Sequence, residues 1–67
     1  MRILSLYAGI GGNRALWPDD VTVTAVDWDE LTATEYAALW PDDDVVIGDA
    51  HAYLEKHLFD GWDFIWA

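Results

Sequence analysis

The 67 residues include three basic side chains against thirteen acidic ones, a formal charge of −10, and no cysteine. A chain this short buries only roughly 60% of the surface its unfolded form exposes, so any fold it makes alone is marginal. The missing cysteine excludes disulfide staples, a thiolate zinc site and a cysteine nucleophile within these residues, while the acidity repels a phosphate backbone instead of recruiting it.

No run approaches the ~20 apolar residues of a membrane span, and Met1-Arg2 leads straight into a strand-like stretch with no signal-peptide core. The expectation is a soluble, cytoplasmic protein that makes no membrane contact. Along the chain, apolar runs alternate with helix-like segments and turn signals fall between them, the pattern of βαβ units feeding a parallel sheet.

Ile3-Leu4-Ser5-Leu6-Tyr7 has the apolar density of a strand buried on both faces, ended by Gly9, Gly11 and Gly12. A short helix from Asn13 to Trp17 fits before Pro18, and Pro18-Asp19-Asp20 reads as a turn. Val21 to Val26 is rich in β-branched residues that suit a pleated strand. Asp29 is placed to cap a helix over about 30–40, with Leu31, Thr34, Ala38 and the neighbouring Glu35 and Leu39 at helical spacing and Pro41 as its stop.

Asp42-Asp43-Asp44 reads as a solvated acidic turn, too sparse in ligand positions for a calcium loop. Val45-Val46-Ile47 is then a brief third strand stopped by Gly48. Asp49 can cap a second helix that carries Ala50, Tyr53, Leu54, His57 and Leu58 toward one side. After the Asp60-Gly61 turn, Trp62 to Ala67 reads as a fourth strand. A finished domain rarely stops inside an apolar strand with an open edge, so this ending is expected to continue in a longer protein.

Three places carry chemistry. Tyr7-Ala8-Gly9-Ile10-Gly11-Gly12 sits between a strand and a helix, where glycines let backbone turn sharply and approach a nucleotide-like ligand. A dinucleotide fingerprint wants a further glycine three residues after Gly11, but Arg14 stands there, which counts against a nicotinamide site. Asp27 ends the second strand, near the ~20-residue offset at which an acid meets ribose hydroxyls, and Trp28 beside it can lay its indole on an adenine ring. Asp49 ends the third strand and fits two roles, N-cap and acceptor for an adenine amino group, between which the sequence does not choose.

His51 and His57 lie six apart, on different faces of a helix, and make a poor metal pair; Trp17, Trp40, Trp62 and Trp66 read as core or interface. No catalytic residue and no metal site is expected within these residues.

Leu4-Ser5-Leu6-Tyr7-Ala8-Gly9-Ile10-Gly11-Gly12 resembles the first cofactor motif of the DNA cytosine-5 methyltransferases, and the resemblance runs through essentially the whole chain. Asp27-Trp28 falls where that family places an acid followed by an adenine-packing residue, and Gly48-Asp49 where it places an adenine-contacting aspartate. Tyr7 stands where the family usually has Phe, Ala8 where it has Ser, and Asp27 where it often has Glu. Trp62 to Ala67 resembles the strand that leads into a Pro-Pro-Cys loop bearing the nucleophile, which these residues do not contain.

The resemblance implies an α/β fold, a partial Rossmann-like class I methyltransferase sheet of parallel strands in the order 3-2-1-4, with S-adenosylmethionine as cofactor. Candidate cofactor contacts are Tyr7, Ala8, Gly9, Ile10, Gly11, Gly12, Asp27, Trp28, Asp49 and Ala50. It implies DNA as a partner of a further C-terminal part, and the remainder of the methyltransferase or a complementing chain at the fourth-strand edge. Two other classes stay open: a non-catalytic mini-protein that binds S-adenosylmethionine or a partner, and a nucleotide-dependent oxidoreductase half-domain.

Overall fold

A computed structural model describes residues 1–7, 14–18 and 20–66. In chain order it has β1 (Arg2–Leu6), a single 3-10 turn (Arg14–Leu16), β2 (Thr22–Asp27), α1 (Glu30–Leu39), β3 (Asp44–Ile47), α2 (Ala50–His57) and β4 (Phe64–Trp66). The four strands form one sheet in the order β3-β2-β1-β4, and every neighbouring pair is parallel. The architecture is therefore α/β with the expected strand order, consistent with a partial Rossmann-like fold.

β1 is central. Leu4 pairs with Thr24 on one side and Ile65 on the other, and Ile3, Leu4, Ser5 and Leu6 are all buried. Alternate side chains of the sheet meet different helices, as the twofold period of a strand requires. Leu4, Leu6 and Val26 pack with Ala50, Tyr53 and Leu54 of α2, joined by Val46 and Trp62. Ala25 packs with Tyr36 of α1, joined by Trp40 and Val45.

Both helices start as the sequence predicts. Asp29 Oδ1 accepts from the N–H groups of Leu31 (3.0 Å) and Thr32 (3.5 Å), and Asp49 Oδ1 accepts from Ala52 N–H (3.0 Å), each satisfying donors that a first turn leaves without an intrahelical partner. Trp40, just ahead of Pro41, ends α1 by donating its N–H to Tyr36 C=O (2.9 Å). The faces are another matter. The expected stripe of Leu31, Thr34, Glu35, Ala38 and Leu39 is not the packed one: α1 buries Ala33 and Tyr36, and leaves Leu31 and Leu39 exposed. The buried tyrosine ring keeps its hydroxyl satisfied by donating to Asp43. On α2 the expected face holds for Ala50, Tyr53 and Leu54, but Leu58 is the C-cap and exposed.

The acidic turn departs furthest from expectation. Asp43 is not solvated: its side chain is 4% exposed and takes Arg14 Nε at 2.8 Å and Nη2 at 3.3 Å, with the Tyr36 hydroxyl at 2.7 Å. Its partner Arg14 belongs to a 3-10 turn where the short helix was expected; Asn13 lies outside the described residues. β4 begins at Phe64 and not at Trp62, whose indole N–H donates to His57 C=O (2.8 Å). Arg2 ties this corner to β1, its guanidinium 4.7 Å from the Trp62 ring centroid and donating to Asp60 C=O, its backbone N–H donating to Asp63 Oδ2 at 2.7 Å. No helix among the described residues is long and apolar enough to cross a membrane.

Candidate functional site

The chain steps outward from β1 to β2 to β3 and then returns to the far side of β1 as β4. That reversal makes a topological switch point between β1 and β4, and open parallel sheets bind ligands in the crevice at the carboxyl ends of the strands beside it. The described candidate residues lie on this edge. Tyr7 leaves β1 with φ of 56°, the left-handed region, and its side chain is exposed. Asp27 is the last residue of β2 and pairs with Ile47 of β3. Gly48 N–H then donates to Asp27 C=O at 2.9 Å, which brings the Gly48-Asp49 turn beside Asp27.

Each side chain has a defined setting. Asp27 is 9% exposed, and its Oδ1 accepts from Asp29 N–H at 2.9 Å in addition to a further contact within the chain. A carboxylate offers about four acceptor positions, so a ribose role for Asp27 adds to an anchored group rather than recruiting a mobile one. Trp28 is 74% exposed, which removes the core explanation for it and leaves its indole presented at the edge. Asp49 does cap α2; its Oδ2 has no hydrogen bond among the described residues, so capping does not exhaust the carboxylate. Ala50, the first residue of α2, is buried in the cluster with Leu4, Leu6 and Val26. Ala8, Gly9, Ile10, Gly11 and Gly12 lie outside the described residues.

Two concavities among the described residues lie at the opposite edge, where the strands begin. One, of about 340 Å³, is bounded by Met1, Ile3, Trp17, Pro18, Val21 and Phe64. The other, of about 470 Å³, is bounded by Arg14, Thr22, Trp40 and Asp43. Neither includes Asp27 or Asp49. No group of three or more His, Asp or Glu among the described residues is placed to hold a metal ion, and the two histidines face separate carboxylates, His51 that of Glu55 and His57 that of Asp60.

Sequence reasoning missed the cluster of Arg14, Asp43 and Tyr36. Burial, and next to it the hydrogen bond to Asp43, raises the Tyr36 phenol well above its ordinary range, so it stays a donor. Tyr53 is raised too, by burial first and then by the charges of Asp60 and Asp44. The one signal available in advance was the rarity of bases: in a chain with three, Arg14 stands two residues after Gly12.

Comparison with protein-family profiles, with curated proteins and with solved structures gave no match.

Proposed function

We propose that this chain is the S-adenosylmethionine-binding segment of a DNA cytosine-5 methyltransferase, an enzyme that transfers the cofactor's methyl group to carbon 5 of cytosine. The observation that carries the reading is the juxtaposition at the carboxyl edge: the Gly48 to Asp27 hydrogen bond gathers an acid, an exposed indole and a second acid beside the exit of the central strand. Asp27 accepts from the ribose hydroxyls, Trp28 stacks on the adenine, and Asp49 Oδ2 accepts from the adenine amino group. The glycine segment that begins after Tyr7 supplies backbone N–H groups to the rest of the cofactor.

With no cysteine, the chain contributes binding and orientation, holding the methyl sulfonium in line for transfer, and not the nucleophile. Chemistry and DNA contact fall to a further part of the protein or to a complementing chain at the β4 edge, in keeping with a charge of −10 that disfavours a phosphate backbone here.

Calorimetric titration with S-adenosylmethionine or its demethylated product, with Asp27→Ala alongside, tests the reading. Saturable binding that the substitution abolishes is the expected result. A folded chain that binds neither compound refutes the cofactor assignment, and preferential binding of a nicotinamide dinucleotide replaces it with the oxidoreductase reading.

A further inference from the structure

At the amino ends of β1, β2 and β4, the end of the sheet opposite Asp27 and Asp49, lies the cavity of about 340 Å³. We infer that it binds a small organic cation whose charge is carried by a methylated ammonium group. Its volume falls within the ~300–1,000 Å³ of small-molecule sites. The inference does not depend on the cofactor reading, since the two sites lie at opposite ends of the same strands.

The wall combines three chemistries. Ile3, Pro18 and Val21 give an apolar lining, of which Ile3 is buried. Trp17 and Phe64 add aromatic rings. Both rings are braced by Trp66, whose centroid lies 6.1 Å from that of Trp17, edge to face, and 6.3 Å from that of Phe64. The backbone holds them as well: Trp17 N–H donates to Arg14 C=O at 3.1 Å, and Phe64 is paired with Ile3 in the β1–β4 ladder. Binding therefore carries little cost of ordering the aromatic wall. The third chemistry is charge. Among the described lining residues Asp20 is the one ionisable side chain; it has no hydrogen bond or ion pair among the described residues. None of the chain's three bases lines the cavity: Arg2 lies over the Trp62 ring, Arg14 is paired with Asp43, and Lys56 is in the last turn of α2.

That combination selects by exclusion. A neutral apolar molecule would take Asp20 out of water and satisfy none of its acceptors. An anion meets both Asp20 and a chain of charge −10. A primary ammonium is strongly hydrated, and an apolar lining does not replace its water. A methylated ammonium presents methyl groups that suit Ile3, Pro18 and Val21. Its charge is attracted by the aromatic quadrupoles and by Asp20, the means by which proteins recognise quaternary ammonium ions.

Titration of the whole chain with choline at constant ionic strength, followed at the Trp17 indole N–H resonance, tests the site. Two comparison compounds accompany it: the neutral isostere with carbon in place of nitrogen, and ethanolamine, the unmethylated amine. The expected result is saturable displacement of the Trp17 resonance by choline, with both comparison compounds at least about threefold weaker. The resonance of Trp28, at the far end of the sheet, stays unmoved. Asp20→Asn and Trp17→Leu should each weaken choline about threefold to tenfold. Either comparison compound matching choline overturns the inference, as does a folded chain in which choline leaves Trp17 unmoved. Wild-type affinity in folded Asp20→Asn overturns it too, and because Asp20 is exposed that variant decides even if Trp17→Leu does not fold.

Discussion

Asp43→Ala is the substitution whose consequence the structure defines most sharply. It takes the Asp43 carboxylate away from the Arg14 guanidinium, 8% exposed, and from the hydroxyl of the buried Tyr36. Removing one partner of a buried ion pair costs about 3–5 kcal/mol, and the orphaned hydroxyl adds about 1 kcal/mol. A domain of this length is stable by about 3–10 kcal/mol in total, so the substitution takes the chain from folded to the brink of unfolding or past it. The exposed ion pair provides the contrast: His51 and Glu55 lie 3.0 Å apart with side chains 73% and 71% exposed, and Glu55→Ala should cost less than about 0.5 kcal/mol. Urea unfolding followed by tryptophan fluorescence and far-ultraviolet circular dichroism, at low salt and at high salt, separates the two. Screening weakens only solvent-facing charges, so the Asp43 effect should persist in high salt. A cost below about 1 kcal/mol, or one that salt erases, refutes the claim that this pair is buried and mutually required.

Three other outcomes follow from the same structure. Because the Tyr36 phenol is raised in the fold by burial and then by Asp43, the folded state holds that proton where the unfolded chain gives it up: its contribution is fully present below about pH 10 and is lost as the pH climbs beyond, so melting temperatures should fall there in the native chain and less in Tyr36→Phe. Leu4→Ala, at a side chain with no exposed surface, should cost about 3–5 kcal/mol and leave little folded chain by circular dichroism, and a loss below about 1 kcal/mol would remove Leu4 from the core. Gly61→Ala should cost about 1 kcal/mol, since φ is 89° and the new methyl group meets Arg2 Nη1 at 3.1 Å, whereas Gly48→Ala, with nothing within 4 Å, should be close to neutral in the same melt.

Local chemistry was readable and non-local chemistry was not. Asp29 and Asp49 could be named as caps because the donors they satisfy lie two or three residues away. The strands could be placed to within a residue or two because β-branched runs, Pro41 and Gly48 bound them. The strand order came from the resemblance to a family and not from the residues, since pairing between distant strands leaves no local mark. The burial of Asp43 was invisible for a related reason: three aspartates after a proline read as a turn, and what pulls one of them inward is Arg14, twenty-nine positions earlier. That same contact explains the misassigned face of α1. Once Asp43 accepts from Tyr36, the helix turns its tyrosine inward and its leucines out.

Tyr7 allows function and stability to be separated by sign. A bulky side chain at φ of 56° is held against a steric preference of roughly 1–2 kcal/mol, and residues kept in such conformations concentrate at ligand sites. Nothing on the stability side accounts for the choice, for the ring is 62% exposed and contributes little to the core, while glycine adopts this backbone freely. Tyr7→Gly should therefore leave the free chain as stable as wild type or more stable by up to about 1 kcal/mol, the gain from relieved strain being reduced by the greater backbone freedom of glycine when unfolded. If the ring belongs to the cofactor site, the same substitution should weaken binding of the demethylated cofactor. Stability unharmed and affinity lowered is a combination that a purely structural tyrosine cannot give. A destabilised variant that binds normally would mean that the ring supports the fold and that the strained backbone has no part in recognition.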